Sequence, residues 1–185
     1  MKEQRPKGQL YYVIGASGAG KDSLLNYVRP LLCQAPVLFA HRYITRPVEL
    51  SGENHISLTE AEFVNRQQYG CFLFHWQSHG LHYGIGQEAQ DWLDAGLNVV
   101  MNGSRGYLPE ATKLKPDLIP VLITVSLDKL QQRLENRGRE SAEQIKERLE
   151  RASEFDQLKH ANLIKVNNDE PLSVAGESLL RILQK

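Results

Sequence analysis

Gly15-Ala16-Ser17-Gly18-Ala19-Gly20-Lys21 places three glycines and a lysine in a GxxxxGK spacing, after an apolar run and before an amphipathic one. Backbone N–H groups can curl around phosphate oxygens only where side chains neither forbid the φ values nor block the approach, and glycine meets both conditions. The helix N-terminus that follows adds partial positive charge, and Lys21 can reach the β- and γ-phosphates of a nucleotide. Three fixed positions arise by chance in roughly 5% of chains this long, before the strand and helix context is required. The alternative is a glycine-rich turn that merely joins strand to helix. Asp22 stands where the usual loop has a Ser or Thr whose hydroxyl ligates Mg²⁺, and Ser23 comes one place later. Asp22 either touches the metal or one of its waters, or is a first-turn acid favoured by the helix dipole; both readings stand. Gly15, Ala16, Ser17, Gly18, Ala19, Gly20, Lys21, Asp22 and Ser23 thus form the expected ATP- and Mg²⁺-binding segment.

Arg133, Arg137 and Arg139 cluster around Gly138, just before Ser141, and Arg148 follows on the next helical stretch. Arginine suits bidentate contact with phosphate oxygens, and cations placed around the transferring group are most of what phosphoryl transfer asks of a protein. A helix-loop-helix carrying them can close over a nucleotide and exclude water. A solvated charged face is the alternative. No carboxylate stands out as a general base, which agrees with an already ionised phosphate as the nucleophile.

The elements that must position these residues follow from period and punctuation. Short apolar runs alternate with longer amphipathic ones, the βαβα pattern of a parallel sheet covered by helices. Strands are predicted at 10–15, 37–43, 97–103, 118–126 and 162–166, and helices at 21–32, 59–69, 87–95, 127–136, 141–158 and 173–183. Thr59 with Glu62 and Ser141 with Gln144 have capping-box spacing. Phe72–Trp76 and Leu81–Ile85 flank Gln77-Ser78-His79-Gly80, a hairpin inserted into the parallel fold.

The 185 residues make about one domain, here a single domain with an insertion near 46–86. Lys+Arg 22 against Asp+Glu 22 leaves a formal net charge of zero, which removes the electrostatic footprint of a nucleic-acid or membrane binder. Cys33 and Cys71 form neither a CxxC pair nor a metal-ligand spacing, and no apolar run matches a signal peptide or a membrane span. A cytoplasmic protein, monomer or homodimer, is expected.

Beyond the phosphate loop, Thr45-Arg46-Pro47 with Gly52-Glu53, His79-Gly80 with Tyr83-Gly84, Arg137-Gly138 with Arg148-Leu149, and Val166-Asn167-Asn168-Asp169 resemble the guanylate-kinase branch of the nucleoside monophosphate kinases over nearly the whole chain. Longer strings resemble the ribose 1,5-bisphosphate phosphokinases of phosphonate degradation: Gly20-Lys21-Asp22-Ser23, Ala40-His41-Arg42-Tyr43-Ile44-Thr45-Arg46, Glu53-Asn54-His55, Asn102-Gly103-Ser104-Arg105 and Leu134 through Glu140. The resemblance implies an α/β P-loop NTPase fold of guanylate kinase-like type, an acceptor-binding insertion at about 46–86 and a lid at about 133–148. It implies Lys21, Arg137 and Arg148 as catalytic, Arg133 and Asn168 as further ATP contacts, and His41, Arg42, Arg46, His55, Tyr83 and Arg105 around the acceptor. Guanylate kinases read guanine with a Glu before the HG pair and an Asp ending the third core strand. Here those stretches read Phe74-His75-Trp76-Gln77 and Met101-Asn102-Gly103, so both acids are missing. A pocket built to hydrogen-bond guanine needs such partners, and their loss points away from GMP. The expected reaction is phosphorylation of ribose 1,5-bisphosphate by ATP with Mg²⁺. Its rivals are a guanylate kinase and a non-catalytic phosphopeptide-binding module of the same fold.

Overall fold

The structure is a computed structural model that describes residues 7–48, 53, 55–138 and 140–185; Gly52, Asn54 and Arg139, quoted above, lie outside the described residues. Its strands are β1 (Leu10–Gly15), β2 (Val37–Ala40), β3 (Arg42–Ile44), β4 (Ile56–Ser57), β5 (Phe72–Ser78), β6 (Leu81–Gly86), β7 (Asn98–Asn102), β8 (Ile119–Thr124) and β9 (Ile164–Asn167). Its helices are α1 (Lys21–Val28), α2 (Glu60–Gln68), α3 (Glu88–Asp94), α4 (Leu108–Leu114), α5 (Leu127–Arg137), α6 (Ala142–Ser153) and α7 (Leu172–Leu183). The main sheet has the order β2-β7-β1-β8-β9, and a smaller one the order β4-β3-β6-β5. In β1 and β8, Leu10 to Ile14 and Val121 to Ile123 are buried one after another, the continuous burial of a sheet covered on both faces. No described helix is long and apolar enough to cross a membrane.

The chain divides into two compact units, Met1–Tyr12 with Pro36–Leu118, and Val13–Ala35 with Ile119–Lys185. In the first, β2 pairs β7 in parallel from Val37↔Asn98 to Ala40↔Met101. The β5–β6 hairpin turns at His79 and Gly80, with φ of 51° and 73°, the pair of left-handed residues that a tight two-residue turn requires. β3 adds antiparallel to β6, and β4 adds parallel to β3. Phe63 of α2 stacks on Phe72 at 4.6 Å, and Tyr43 meets the same ring edge-on at 5.6 Å. Thr59 Oγ1 accepts from the Glu62 N–H at 3.2 Å, while the Glu62 carboxylate pairs with Arg66 at 2.6 Å.

In the second unit β8 and β9 pair in parallel, and α1 packs on α7, where the Tyr27 ring lies so close to Gly176 that a Cβ would overlap it. Gly138, at φ 61°, ends α5. Ser141 and Gln144 form the full reciprocal capping box that starts α6.

Several expectations are corrected. The strand predicted at 37–43 is two strands in different sheets: after Ala40 the chain leaves β7, and Arg42 to Ile44 take partners on β6. The helix predicted at 21–32 stops at Val28 and continues as a 3₁₀ turn, Pro30–Leu32, because Pro30 has no N–H to donate to the helix ladder. The helix predicted at 141–158 likewise becomes a 3₁₀ turn at Glu154–Gln157. Helix α4 was not expected, although Pro109 and Glu110 in its first turn are ordinary start signals.

Candidate active site

β1 ends at Gly15 and lies between β7 and β8 in the sheet order. Segments following the carboxyl end of such a middle strand line the crevice where open α/β sheets bind ligands. Gly18 and Gly20 have φ of 95° and 93°, a region that costs a side chain dearly. Space is also short: a Cβ on Gly15 would sit 2.7 Å from the Ile123 carbonyl oxygen, and one on Gly18 would sit 2.8 Å from Leu130 Cδ1. The loop is therefore folded onto β8 and α5, with α1 opening at Lys21. Lys21 Nζ donates to the Gly15 carbonyl at 3.0 Å, spanning the loop end to end.

The carbonyl of Ala19 is held from two sides. Asn168 Nδ2 donates to it at 2.7 Å and Arg133 Nη1 at 3.4 Å, while Arg133 Nη2 donates to the Asn168 carbonyl at 2.6 Å. Asn168 is only 3% exposed, and its Oδ1 is buried without a hydrogen bond. Both residues, expected as ATP contacts, brace the loop in this structure. Asp169 ties the end of β9 to the start of α5: its Oδ1 accepts from the Ser126 N–H at 2.7 Å. That hydrogen bond holds the Asp169 carboxyl below its ordinary value. Arg148 reaches back from α6 to the loop, donating from Nη1 to Ser17 Oγ at 3.3 Å. Arg137 is exposed in the last turn of α5.

The expected acceptor residues lie in the other unit, where Arg42 and Tyr83 belong to an aromatic pile. Trp76 is stacked between Tyr83, at 5.5 Å, and Tyr107, at 5.3 Å, and the Arg42 guanidinium lies 5.1 Å over the Tyr83 ring. Arg42 grips both Glu53 oxygens through Nε and Nη2, so its fork is already engaged, and both side chains are largely buried. His55 is buried, with Nδ1 3.0 Å from the Glu53 carbonyl and Nε2 3.1 Å from the Arg46 carbonyl. Both of its ring nitrogens thus face backbone carbonyls, and a neutral ring donates to one of them. Arg46 Nε is buried without a hydrogen bond, which leaves it a donor in need of an acceptor. His41 and Arg105 are half-buried. The segment carrying Arg105 is anchored by Tyr12, whose hydroxyl donates to the Ser104 carbonyl at 2.9 Å and accepts from its N–H at 3.0 Å. Burial pushes the Tyr12 phenol well above its ordinary value, and the ring passes so close to Gly103 that a Cβ there would overlap it.

Asp22 and Ser23 are both exposed in the first turn of α1. Among the described residues no group of three or more His, Cys, Asp or Glu side chains makes a metal cage. One carboxylate and one hydroxyl at a phosphate loop fit Mg²⁺, which takes its remaining ligands from substrate phosphates and water. Sequence reasoning missed the bracing by Tyr12 and the engagement of Arg42 by Glu53. Neither has a local signal, because the partners lie 92 and 11 residues apart.

A glycine-rich phosphate loop after the middle strand of a helix-covered parallel sheet, with arginines from later helices reaching it, defines an α/β P-loop phosphotransferase. The guanylate kinase family model matches residues 7–184. The ribose 1,5-bisphosphate phosphokinase PhnN of Psychromonas ingrahamii is 56% identical over 100% of this chain and 94% of its own length. That of Thiobacillus denitrificans is 54% identical over 96% and 93%. Among solved structures, guanylate kinase from Anaplasma phagocytophilum superposes with a TM-score of 0.70 over 97% of this chain and 86% of its own, at 14% identity, a likeness of fold alone. The chain belongs to the guanylate kinase family and, within it, to the ribose 1,5-bisphosphate phosphokinases.

Proposed function

We propose that this protein transfers the γ-phosphoryl group of ATP to the 1-phosphate of ribose 1,5-bisphosphate, giving 5-phosphoribosyl 1-diphosphate and ADP, in the cytoplasm and in phosphonate degradation. The observation that carries the choice of acceptor is identity above 50% over nearly the full chain with relatives named for that activity.

The roles proposed for each group are supported by its position. Backbone N–H groups of Gly15–Gly20 receive the donor phosphates, and Lys21 exchanges its bond to the Gly15 carbonyl for the β- and γ-phosphate oxygens. Arg133 and Asn168 keep the loop in shape beside the nucleotide. Arg137 and Arg148, in a lid over about 133–148, neutralise charge on the group in flight. The insertion at about 46–86 binds the acceptor. Arg46, with its unpartnered Nε, and Arg105 take its phosphates. Arg42, His41, His55 and Tyr83 set the charge and shape around them, His55 by fastening the backbone that carries Arg46. Asp22 and Ser23 would hold Mg²⁺, which when bound draws charge from the donor phosphates. A phosphate monoester is ionised at neutral pH, so no residue has to deprotonate the nucleophile.

The test is to incubate the protein with ATP, Mg²⁺ and either ribose 1,5-bisphosphate or GMP and to follow products by phosphorus NMR. A new sugar diphosphate signal with GMP untouched is the expected result. Conversion of GMP alone would make the protein a guanylate kinase, and inertness toward both would remove the proposed acceptor.

A further inference from the structure

The lid arginine Arg148 is not held by the phosphate loop alone. Its Nη1 lies 3.1 Å from Glu140 Oε1 and donates to Ser17 Oγ at 3.3 Å. The same guanidinium nitrogen thus ion-pairs with Glu140 while it donates to Ser17, so the two contacts coexist. The Glu140 side chain is only 10% exposed, and its Oε2 is buried without a hydrogen bond.

Local structure explains the meeting. Gly138 turns the chain out of α5, and the Ser141–Gln144 capping box fixes the entry into α6. Glu140 is therefore set immediately before the helix cap. Arg148 lies two turns further on, and long side chains on a helix lean back toward its N-terminus. The carboxylate stands in the path of the guanidinium and engages it.

We propose that Glu140 is a positioning residue for phosphoryl transfer: its carboxylate holds the Arg148 guanidinium against the phosphate loop. This rests on the reading of Arg148 as a cation for the transferring group. A long, flexible arginine on a surface helix would otherwise spread its charge over many rotamers, and one placed by a buried carboxylate has already lost that freedom before ATP arrives. The unpartnered Oε2 can take a guanidinium N–H, adding a charge-assisted hydrogen bond to the ion pair. The contact does not draw Arg148 away from the loop, so Glu140 aids the reaction.

The experiment uses the full chain with Glu140→Gln, Glu140→Asp, Arg148→Lys and the Glu140→Gln/Arg148→Lys pair, each checked by circular dichroism and melting. On the acceptor that the wild type phosphorylates, Glu140→Gln should lower kcat roughly 10- to 100-fold, with KM for ATP moved less than about threefold. Glu140→Asp should recover part of the loss. Arg148→Lys should cost far less in the Glu140→Gln background than in the wild type, because the second change acts on an arginine already unplaced. A kcat within about twofold of wild type for Glu140→Gln, or a pair whose loss is the product of the two singles, would overturn the proposal. A second readout does not depend on turnover. Nitrogen-15 spectra of the arginine side chains, with Arg148 assigned by its loss in Arg148→Lys, should show slow rotation of its Nη groups in the wild type and fast averaging in Glu140→Gln. Equal rotation in both overturns the proposal even if no acceptor is phosphorylated. Slowed rotation that Glu140→Gln abolishes, in a protein inert toward every acceptor, keeps the hold on Arg148 and removes the proposed reaction instead.

Discussion

Replacing Asn168 by Ala separates bracing of the phosphate loop from contact with the nucleotide. The change removes the hydrogen bond from Nδ2 to the Ala19 carbonyl and leaves that oxygen with the long 3.4 Å contact from Arg133. The backbone bonds survive, since Asn168 N–H still donates to the Thr124 carbonyl and the Asn168 carbonyl still accepts from Arg133. A buried hydrogen bond of this kind is worth about 1 to 1.5 kcal/mol net. The vacated space adds to the loss, and removal of the unpartnered Oδ1 offsets part of it, so the nucleotide-free protein should lose about 1 to 2 kcal/mol. For a chain of this length each kcal/mol moves Tm by about 2–4 °C, so a fall of about 2–8 °C is expected. Differential scanning calorimetry without nucleotide measures it, and titration with ATP should show weaker binding. Arg133→Ala on top of Asn168→Ala should cost less than on its own, because both side chains serve the same carbonyl. If Asn168→Ala melts within about 1 °C of wild type without nucleotide yet binds ATP poorly, the bracing argument fails and Asn168 acts on the nucleotide alone.

Lys21→Ala should lower kcat by roughly 10²- to 10³-fold while the melting temperature stays near that of wild type, since Lys21 is half-exposed; near-normal turnover would remove the donor assignment. Asp22→Ala should shift the Mg²⁺ titration of activity to higher concentration, and an unchanged curve would leave Asp22 as a helix-dipole acid. Arg46→Ala should raise the acceptor KM much more than the KM for ATP, with equal effects counting against its place at the acceptor phosphate. Asp169 has its carboxyl pKa lowered on folding, so its ionised form stabilises the fold above the unfolded value of about 3.9, and that contribution disappears as pH falls through the lowered folded value. Urea melts of Asp169→Asn should therefore show a deficit at neutral pH that closes in strong acid; a constant deficit would show that the hydrogen-bonding geometry matters and the charge does not.

The phosphate loop, the helix that follows it and the hairpin around His79-Gly80 were legible in the sequence because each depends on local rules. Left-handed φ values demand Gly18, Gly20 and Gly80, and an apolar run before a GxxxxGK needs no distant partner to be read. The same holds for the Ser141–Gln144 cap, whose two halves are three residues apart. Sequence also carried the family likeness, since the loop, the arginines around Gly138 and the missing guanine-reading acids are strings of adjacent residues.

Which partners those residues take in the fold was decided only by groups far along the chain. Arg42 and His55 both looked like cations for an acceptor, yet Glu53 occupies the fork of the first and two carbonyls occupy the ring of the second. Arg133 and Asn168 converge on one carbonyl 114 and 149 residues away. The run from Val37 to Tyr43 shows the same division, because strand propensity cannot say which sheet will supply the partner. Local sequence therefore determined where the glycine-rich loop lies and which turns and caps shape the chain there. Only tertiary structure decided which charges remain available to a ligand, because a hydrogen-bonding group is spent or spared according to what folding places within about 3 Å of it.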